Sequence, residues 1–270
     1  MIFDLAKEVK DIKVPKGRVC ITWLGQSGFM FKTDSNKIIL LDAYLSDCCE
    51  KIVNFKRITP NILNVEELKV DYVITSHDHP DHFDFDAIPL IMKNNDCVLI
   101  GPPSCIEHSK EMGFSGERLL MIHEGELKNF TDFKVKGVFC NHGESAKDAL
   151  GYILYFNDIK IYFAGDTAYT PEKMDAIIME KPNLAILPIN GAYGNLNPIE
   201  ATCYAKIIKS EITIPCHFWT FLEHDFGSPR NFVEDMKKFY PEGKVKILKY
   251  GECLIFSNIK HTNIEILEIE

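Results

Sequence analysis

Short β-branched runs separated by polar or glycine-containing turns fill the first part of the chain, at 18–23, 28–33 and 37–41. This spacing predicts consecutive hairpin-linked strands. A fourth apolar run, 72–75, ends at a histidine-rich segment, after which 85–92 reads as a helix. The later chain predicts strands at 97–100, 133–139, 151–156 and 159–164, a helix over 171–180 and a strand at 184–187. Asn197 can then cap a helix, with Pro198 suited to its first position and Glu200 able to reach back to the cap. A strand at 212–215 follows, Ser228 and Pro229 repeat the cap-plus-proline signal before a helix to Tyr240, and 245–248 and 253–256 read as final strands. Hairpin strands early and helices between later strands predict an α/β chain with two sheets flanked by helices. No repeat, low-complexity tract or Gly/Ser linker interrupts it, so 1–270 is expected to be a single domain.

Composition narrows the classes. With 46% hydrophobic and 26% charged residues among 270, the chain can bury a large core. Thirty Lys and Arg against 39 Asp and Glu give a formal charge of −9, which disfavours nucleic acid and anionic membranes as partners. No apolar run approaches the roughly 18 residues of a spanning helix, and the first residues lack the apolar stretch of a secretory signal, so a cytoplasmic protein is expected. The nine cysteines are scattered without a C-x-x-C pair, which argues against a disulfide framework. The adjacent Cys48 and Cys49 read as reduced thiols in a loop.

The chemistry is concentrated at 76–84, Ser-His-Asp-His-Pro-Asp-His-Phe-Asp, which sets His77, His79, Asp81 and His82 at the end of an apolar strand. Such an array arises by chance in roughly one chain in a thousand of this composition. Imidazole and carboxylate groups are the ligands that divalent metals such as Zn²⁺ accept, and a loop lets residues two apart converge on one ion. Clustered imidazoles that lack a metal would also repel one another once protonated. More ligands are needed downstream, and His142, Asp166 and His217 each follow an apolar strand. Gln26, Asn190, Tyr193, Trp219 and His224 lie near these segments without an assigned role, while Phe218, Trp219 and Phe221 are expected in the core.

These residues resemble the successive motifs of the metallo-β-lactamase-fold hydrolases: Asp42 in IILLD, the His77-x-His79-x-Asp81-His82 array, His142, Asp166 in AGDT, and His217. The segments TWLGQSGFMF, SHDHPDHFD, GPPSC, AGDTAY and IPCHFWTF are similar to the branch containing the L-ascorbate-6-phosphate lactonases. The first two also look like N-acyl-phosphatidylethanolamine phosphodiesterases. The resemblance implies a four-layer αββα sandwich and two divalent ions per chain, Zn²⁺ or Mn²⁺. It implies one ion on His77, His79 and His142, a second on Asp81, His82 and His217, Asp166 bridging them and Asp42 acting from behind the ligands. Asp81 and Asp166 are the candidate catalytic residues, with Asp81 or a metal-bound water as donor of the proton that a leaving alkoxide needs. The implied reaction is attack by a metal-bound hydroxide on a small anionic, lactone-type substrate, at a centre whose two ions outweigh Asp81 and Asp166 in charge. The resemblance also implies an assembly of copies. A metal-dependent phosphodiesterase or nuclease and a non-catalytic metal-binding protein are the alternatives. A flavo-diiron oxidoreductase is disfavoured, because His79 stands where that group resembles Glu.

Overall fold

The structure is a computed structural model and describes residues 5–224, 226–258 and 265–267. Contacts divide the chain into two compact units, one running to Met121 and resuming at Leu248, the other Ile122–Ile247.

In the first unit, helix α1 (Leu5–Asp11) precedes strands β1 (Val19–Trp23), β2 (Phe29–Thr33) and β3 (Ile38–Leu41). Helix α2 (Cys48–Val53), β4 (Tyr72–Ile74), α3 (Ala87–Asn94), β5 (Val98–Gly101), α4 (Pro103–Glu111) and β6 (Leu119–Met121) follow. The second unit contains β7 (Leu127–Asn129), β8 (Lys134–Val138), β9 (Gly151–Phe156), β10 (Ile159–Phe163), α5 (Asp175–Glu180), β11 (Leu184–Pro188), α6 (Pro198–Ile208), β12 (Ile212–Cys216) and α7 (Pro229–Phe239). The chain returns to the first unit with β13 (Cys253–Phe256) and β14 (Glu265–Leu267).

Each unit holds one sheet. The first is ordered β14-β13-β1-β2-β3-β4-β5-β6 and the second β12-β11-β10-β9-β8-β7. Both divide in the same way: the hairpin strands pair antiparallel, whereas β3-β4-β5-β6 and β10-β11-β12 pair parallel. Parallel neighbours need crossovers, and the segments carrying α2, α3, α4, α5 and α6 supply them. All crossover strands of one sheet therefore end at the same sheet edge, where loops can converge. Asp42 and Ser76 follow β3 and β4 at the first sheet's edge, and Asp166, Asn190 and His217 follow β10, β11 and β12 at the second's.

Strands β1, β3, β11 and β12 are buried at every position, as runs such as IILL and LAILP dictate for strands covered on both faces. Helix α3 turns Ala87, Ile88, Ile91 and Met92 into the core of the first unit, where they join Leu40, Val73, Leu99 and Phe83. At α6 the Asn197 side chain accepts from the N–H groups of Ile199 and Glu200, and Glu200 accepts from the N–H of Asn197, so the anticipated capping box forms.

Two expected elements differ. The run 245–248 is no strand, and only Val245 bridges to Thr213. Thr213 N–H donates to Lys244 O and Lys246 N–H to Thr213 O, but the next donor in that ladder would come from Pro215, which has no N–H. The helix expected over 171–180 divides into a 3₁₀ turn, Pro171–Lys173, and the short α5. Among the described residues, α1, α2 and α4 have no counterpart in the expected elements.

Lys32 is the unusual side chain of β2, since a charged residue sits in an otherwise apolar buried strand with 4% of its surface exposed. Its ammonium donates to the carbonyls of Val9, Lys10 and Ile12 at 2.8, 3.1 and 2.7 Å. These are carbonyls at the C-terminal end of α1, which a cation satisfies both as a donor and as a charge against the helix dipole. Lys32→Met is expected to lower stability by about 2 kcal/mol, because three buried carbonyls lose a charged donor. Denaturant unfolding measures this, and an unchanged midpoint would refute the capping role.

Candidate metal centre

In the first unit the centre is organised around Asp42, the residue immediately after β3, whose backbone is left-handed at φ 46°. Asp tolerates that region better than most residues, but it still costs energy that the surroundings must offset. Asp42 is fully buried, and its Oδ1 accepts the Ser76 N–H at 2.6 Å. Its Oδ2 accepts the Ser76 hydroxyl and the Nδ1–H of His82, the latter at 2.7 Å. Burial raises the Asp42 carboxyl above its ordinary range, and His82 and Ser76 oppose that rise without cancelling it.

A carboxylate only accepts, and that fixes the protons of the neighbours. Because the Ser76 hydroxyl donates to Asp42, it can only accept from His77 Nδ1, 2.9 Å away, so His77 carries its proton there. His82 likewise carries its proton on Nδ1. In their neutral form both imidazoles then hold a lone pair on Nε2, the form in which histidine binds a metal. His79 Nδ1 lies 3.0 Å from His77 Nε2, a separation at which two ring nitrogens share one proton or one ion. Donor atoms of Asp42, His77 and His82 lie within 4.8 Å of one another.

The rest of the motif loop is tied down by groups that the sequence reading left without roles. Asp81 Oδ2 accepts from Gln26 Nε2 at 2.7 Å and lies 3.6 Å from His82 Nε2. Asp84, fully buried, accepts the N–H groups of Leu45 and Ser46, each at 2.8 Å, and that of Ala87 at the start of α3. It thereby joins the segment after β3 to the motif; an Asp three residues before an apolar helical run was its available signal. Cys48 and Cys49 begin α2 rather than sitting in a loop, since Asn54 supplies the left-handed ending that closes this short helix. Both are buried free thiols: Cys48 donates to Pro80 O at 3.2 Å, and its thiol together with burial pushes Cys49 up.

In the second unit, Asp166 and His217 meet directly, Oδ2 to Nε2, at 3.0 Å. His217, fully buried, has φ 62°, a second left-handed residue directly after a strand. Asn195 donates its amide to Asp166 Oδ2 at 2.6 Å. His142 is buried in the loop after β8, and several hydrogen bonds join that loop to the Asp166 loop. Asn141 N–H donates to Thr167 Oγ1 at 3.0 Å, Ala168 N–H to Asn141 O at 2.7 Å, and Cys140 Sγ to Asp166 O at 3.0 Å.

Of the aromatics expected in the core, Phe218 and Phe221 are buried, but Trp219 is 50% exposed. Its left-handed backbone, φ 59°, turns it away from the alternation that buries its neighbours. Tyr193 is exposed, Asn190 is fully buried, and the side chain of His224 lies outside the described residues.

The donor chemistry fits divalent metal ions. Buried imidazoles with assigned lone pairs and buried carboxylates in hydrogen bonds are the nitrogen and oxygen ligands that Zn²⁺ and similar ions take.

The comparisons with known proteins agree. A family model described as a beta-lactamase superfamily domain matches residues 20–217. A UPF0173 metal-dependent hydrolase of Methanobrevibacter smithii is 31% identical over 247 residues, covering 86% of this chain and 95% of its own. The chain belongs to the β-lactamase superfamily and, within it, to the UPF0173 metal-dependent hydrolases. Igni18, a metallo hydrolase of Ignicoccus hospitalis, shares the fold with a TM-score of 0.70 at 22% identity, covering 89% of this chain and 99% of its own. An isothiocyanate hydrolase from Delia radicum gut bacteria superimposes with a TM-score of 0.72 at 20% identity, covering 88% of this chain and 99% of its own. The expected two-sheet α/β fold is thus that of the metallo-β-lactamase superfamily.

Asp42→Ala is expected to cost about 3 kcal/mol in chelator-treated protein, from donors left without an acceptor and a β-carbon held in left-handed backbone. Asp42→Asn tolerates the backbone and keeps one acceptor, so its loss should be smaller. Urea unfolding of both variants gives the comparison, and equal losses would show that the backbone does not contribute.

Proposed function

We propose that this hydrolase is lactonase-like and opens small anionic lactones, sugar-phosphate lactones among them, at a centre of two divalent ions, Zn²⁺ or Mn²⁺. In this reading His77, His79 and His142 hold one ion, Asp81, His82 and His217 the other, and Asp166 is shared. In this reading 1–270 acts as one functional domain. The observation that supports it most is the proton assignment forced by Asp42, which leaves His77 and His82 with lone pairs on Nε2. The donors seen singly in the sequence thereby become a preorganised set.

Bound divalent ions supply a Lewis acid for the scissile carbonyl and a nucleophile at neutral pH. The chain's part is positioning and proton traffic. Asp42 and Ser76 hold the imidazoles, and in this reading Asp81, 6% exposed, takes the proton that the attacking water gives up and returns it to the leaving alkoxide. Two ions outweigh the charges of Asp81 and Asp166, which favours an anionic substrate. The chain's −9 charge supports a small molecule over nucleic acid or an anionic membrane surface as partner. Among the described residues no helix is long and apolar enough to cross a membrane. The nine cysteines are thiols rather than disulfides, which suits a reducing cytoplasm. A homo-oligomer follows from the lactonase resemblance alone.

A second reading has its own observation. Tyr193, Trp219, Leu222 and Phe226, on the loops after β11 and β12, are 62%, 50%, 74% and 76% exposed. Large exposed apolar side chains on the loop that begins at His217 and on the loop after the neighbouring strand suit a substrate with an acyl or aromatic portion, as a phosphodiesterase of acyl lipids would have.

Metal-reconstituted protein, assayed against sugar-acid lactones with and without phosphate and against phosphodiesters, separates the two readings. Lactone hydrolysis that rises with pH and then levels is expected. Exclusive phosphodiester cleavage would overturn the lactonase reading and favour the second.

A further inference from the structure

The segment LGQSG, 24–28, is tightly built for a turn that the proposed chemistry does not use. Gln26 has φ 49°, a left-handed conformation that a glutamine adopts only when its surroundings impose it. The imposition is visible on every side. Trp23 Nε1 donates to Gln26 O at 3.0 Å, Gly28 N–H donates to Gly25 O at 2.8 Å, and Leu24 N–H donates to Gly28 O at 2.8 Å. A β-carbon at Gly28 would come within 3.2 Å of the backbone of Asp42 and Ala43, and one at Gly25 within 2.6 Å of the Tyr250 ring. The turn brings the buried Gln26 side chain to Asp81, 55 residues further along, at 2.7 Å.

The second unit repeats the chemistry with unrelated local structure. Asn195 sits in a closed loop, its own N–H bonded to Ala192 O at 2.9 Å and the next residue's to Thr167 O at 3.0 Å. Its amide reaches Asp166 Oδ2 at 2.6 Å. In both cases the amide nitrogen donates to a carboxylate oxygen, the orientation that an ionised acceptor requires.

We propose that Gln26 and Asn195 are positioning residues of the metal centre, each fixing the rotation of one acidic ligand, Asp81 and Asp166 respectively, through a neutral amide donor. The inference rests on the reading that these two carboxylates bind metal. A neutral donor suits the task because it orients a carboxylate without pairing its charge. A lysine or arginine there would compete with the cation for that charge. Removal of such outer partners commonly weakens metal binding 10- to 100-fold.

The test uses the full-length protein with Zn²⁺ as the probe. Gln26→Met and Asn195→Leu keep approximate size and lose the donor. Zn²⁺ affinity, by competition with a chromophoric chelator, is expected to fall about 10-fold or more in each variant. The rise in melting temperature on adding Zn²⁺ should shrink in parallel. A merely structural role would lower the melting temperature equally with and without Zn²⁺ and leave affinity unchanged, which would overturn the proposal. Asp81→Asn and Asp166→Asn are the controls for the reading beneath it. If those variants bind Zn²⁺ as the wild type does, the ligand assignment fails and the proposal with it. If they lose Zn²⁺ while the amide variants keep it, the positioning proposal alone fails.

Discussion

A buried carboxylate with no cation of its own must be surrounded by donors, and Asp42 shows what that requirement can organise. An unpaired charge in such a site would cost several kcal/mol. Its oxygens are satisfied by Ser76 and His82, and the Ser76 oxygen in turn accepts the hydrogen bond of His77 Nδ1–H. One charge thus sets two imidazole tautomers and pins the loop that carries them. The motif loop then needs little help from its own sequence: Asp84 holds its far end, and Cys48 donates to its proline carbonyl.

The topology explains why these groups can meet within each unit. Parallel strands end at the same edge, so β3 and β4 deliver Asp42 and Ser76 together, and β10 and β12 deliver Asp166 and His217. The backbone leaves those strands sharply. Asp42 and His217, each the first residue past its strand, are both left-handed, as is Gln26 in the turn between β1 and β2. Strain of this kind, about 1–3 kcal/mol at each residue, persists only where neighbouring bonds over-determine it. It turns side chains out of the strand alternation and toward their partners.

Much of this was legible in the sequence. The apolar runs gave the central strands because strands buried on both faces read as continuous hydrophobic stretches, and Asn197-Pro198 with Glu200 gave a helix start because capping is a local interaction. The ligand-type residues stood out because histidine and aspartate rarely cluster after apolar strands. Less legible were features set by distant partners. The 245–248 run failed as a strand because Pro215, some thirty residues earlier, removes the next donor. Gln26 stood near a motif and Asn195 did not stand out, but the contacts of neither were legible, since their acceptors lie 55 and 29 residues away. Helix α4 did leave a local trace, Pro103 at its first position, within a segment noticed only as part of a motif.

X-ray absorption spectroscopy of the metal-loaded protein tests the ligand assignment most directly, because it identifies the atoms around the ion without requiring a substrate. An all nitrogen and oxygen shell with the multiple scattering of imidazole is expected, together with a metal–metal vector of about 3.5–4 Å. Sulfur in the shell would place an ion on cysteine thiols such as Cys48 and Cys49 and would contradict the histidine and carboxylate centre. A shell without imidazole scattering would contradict it equally.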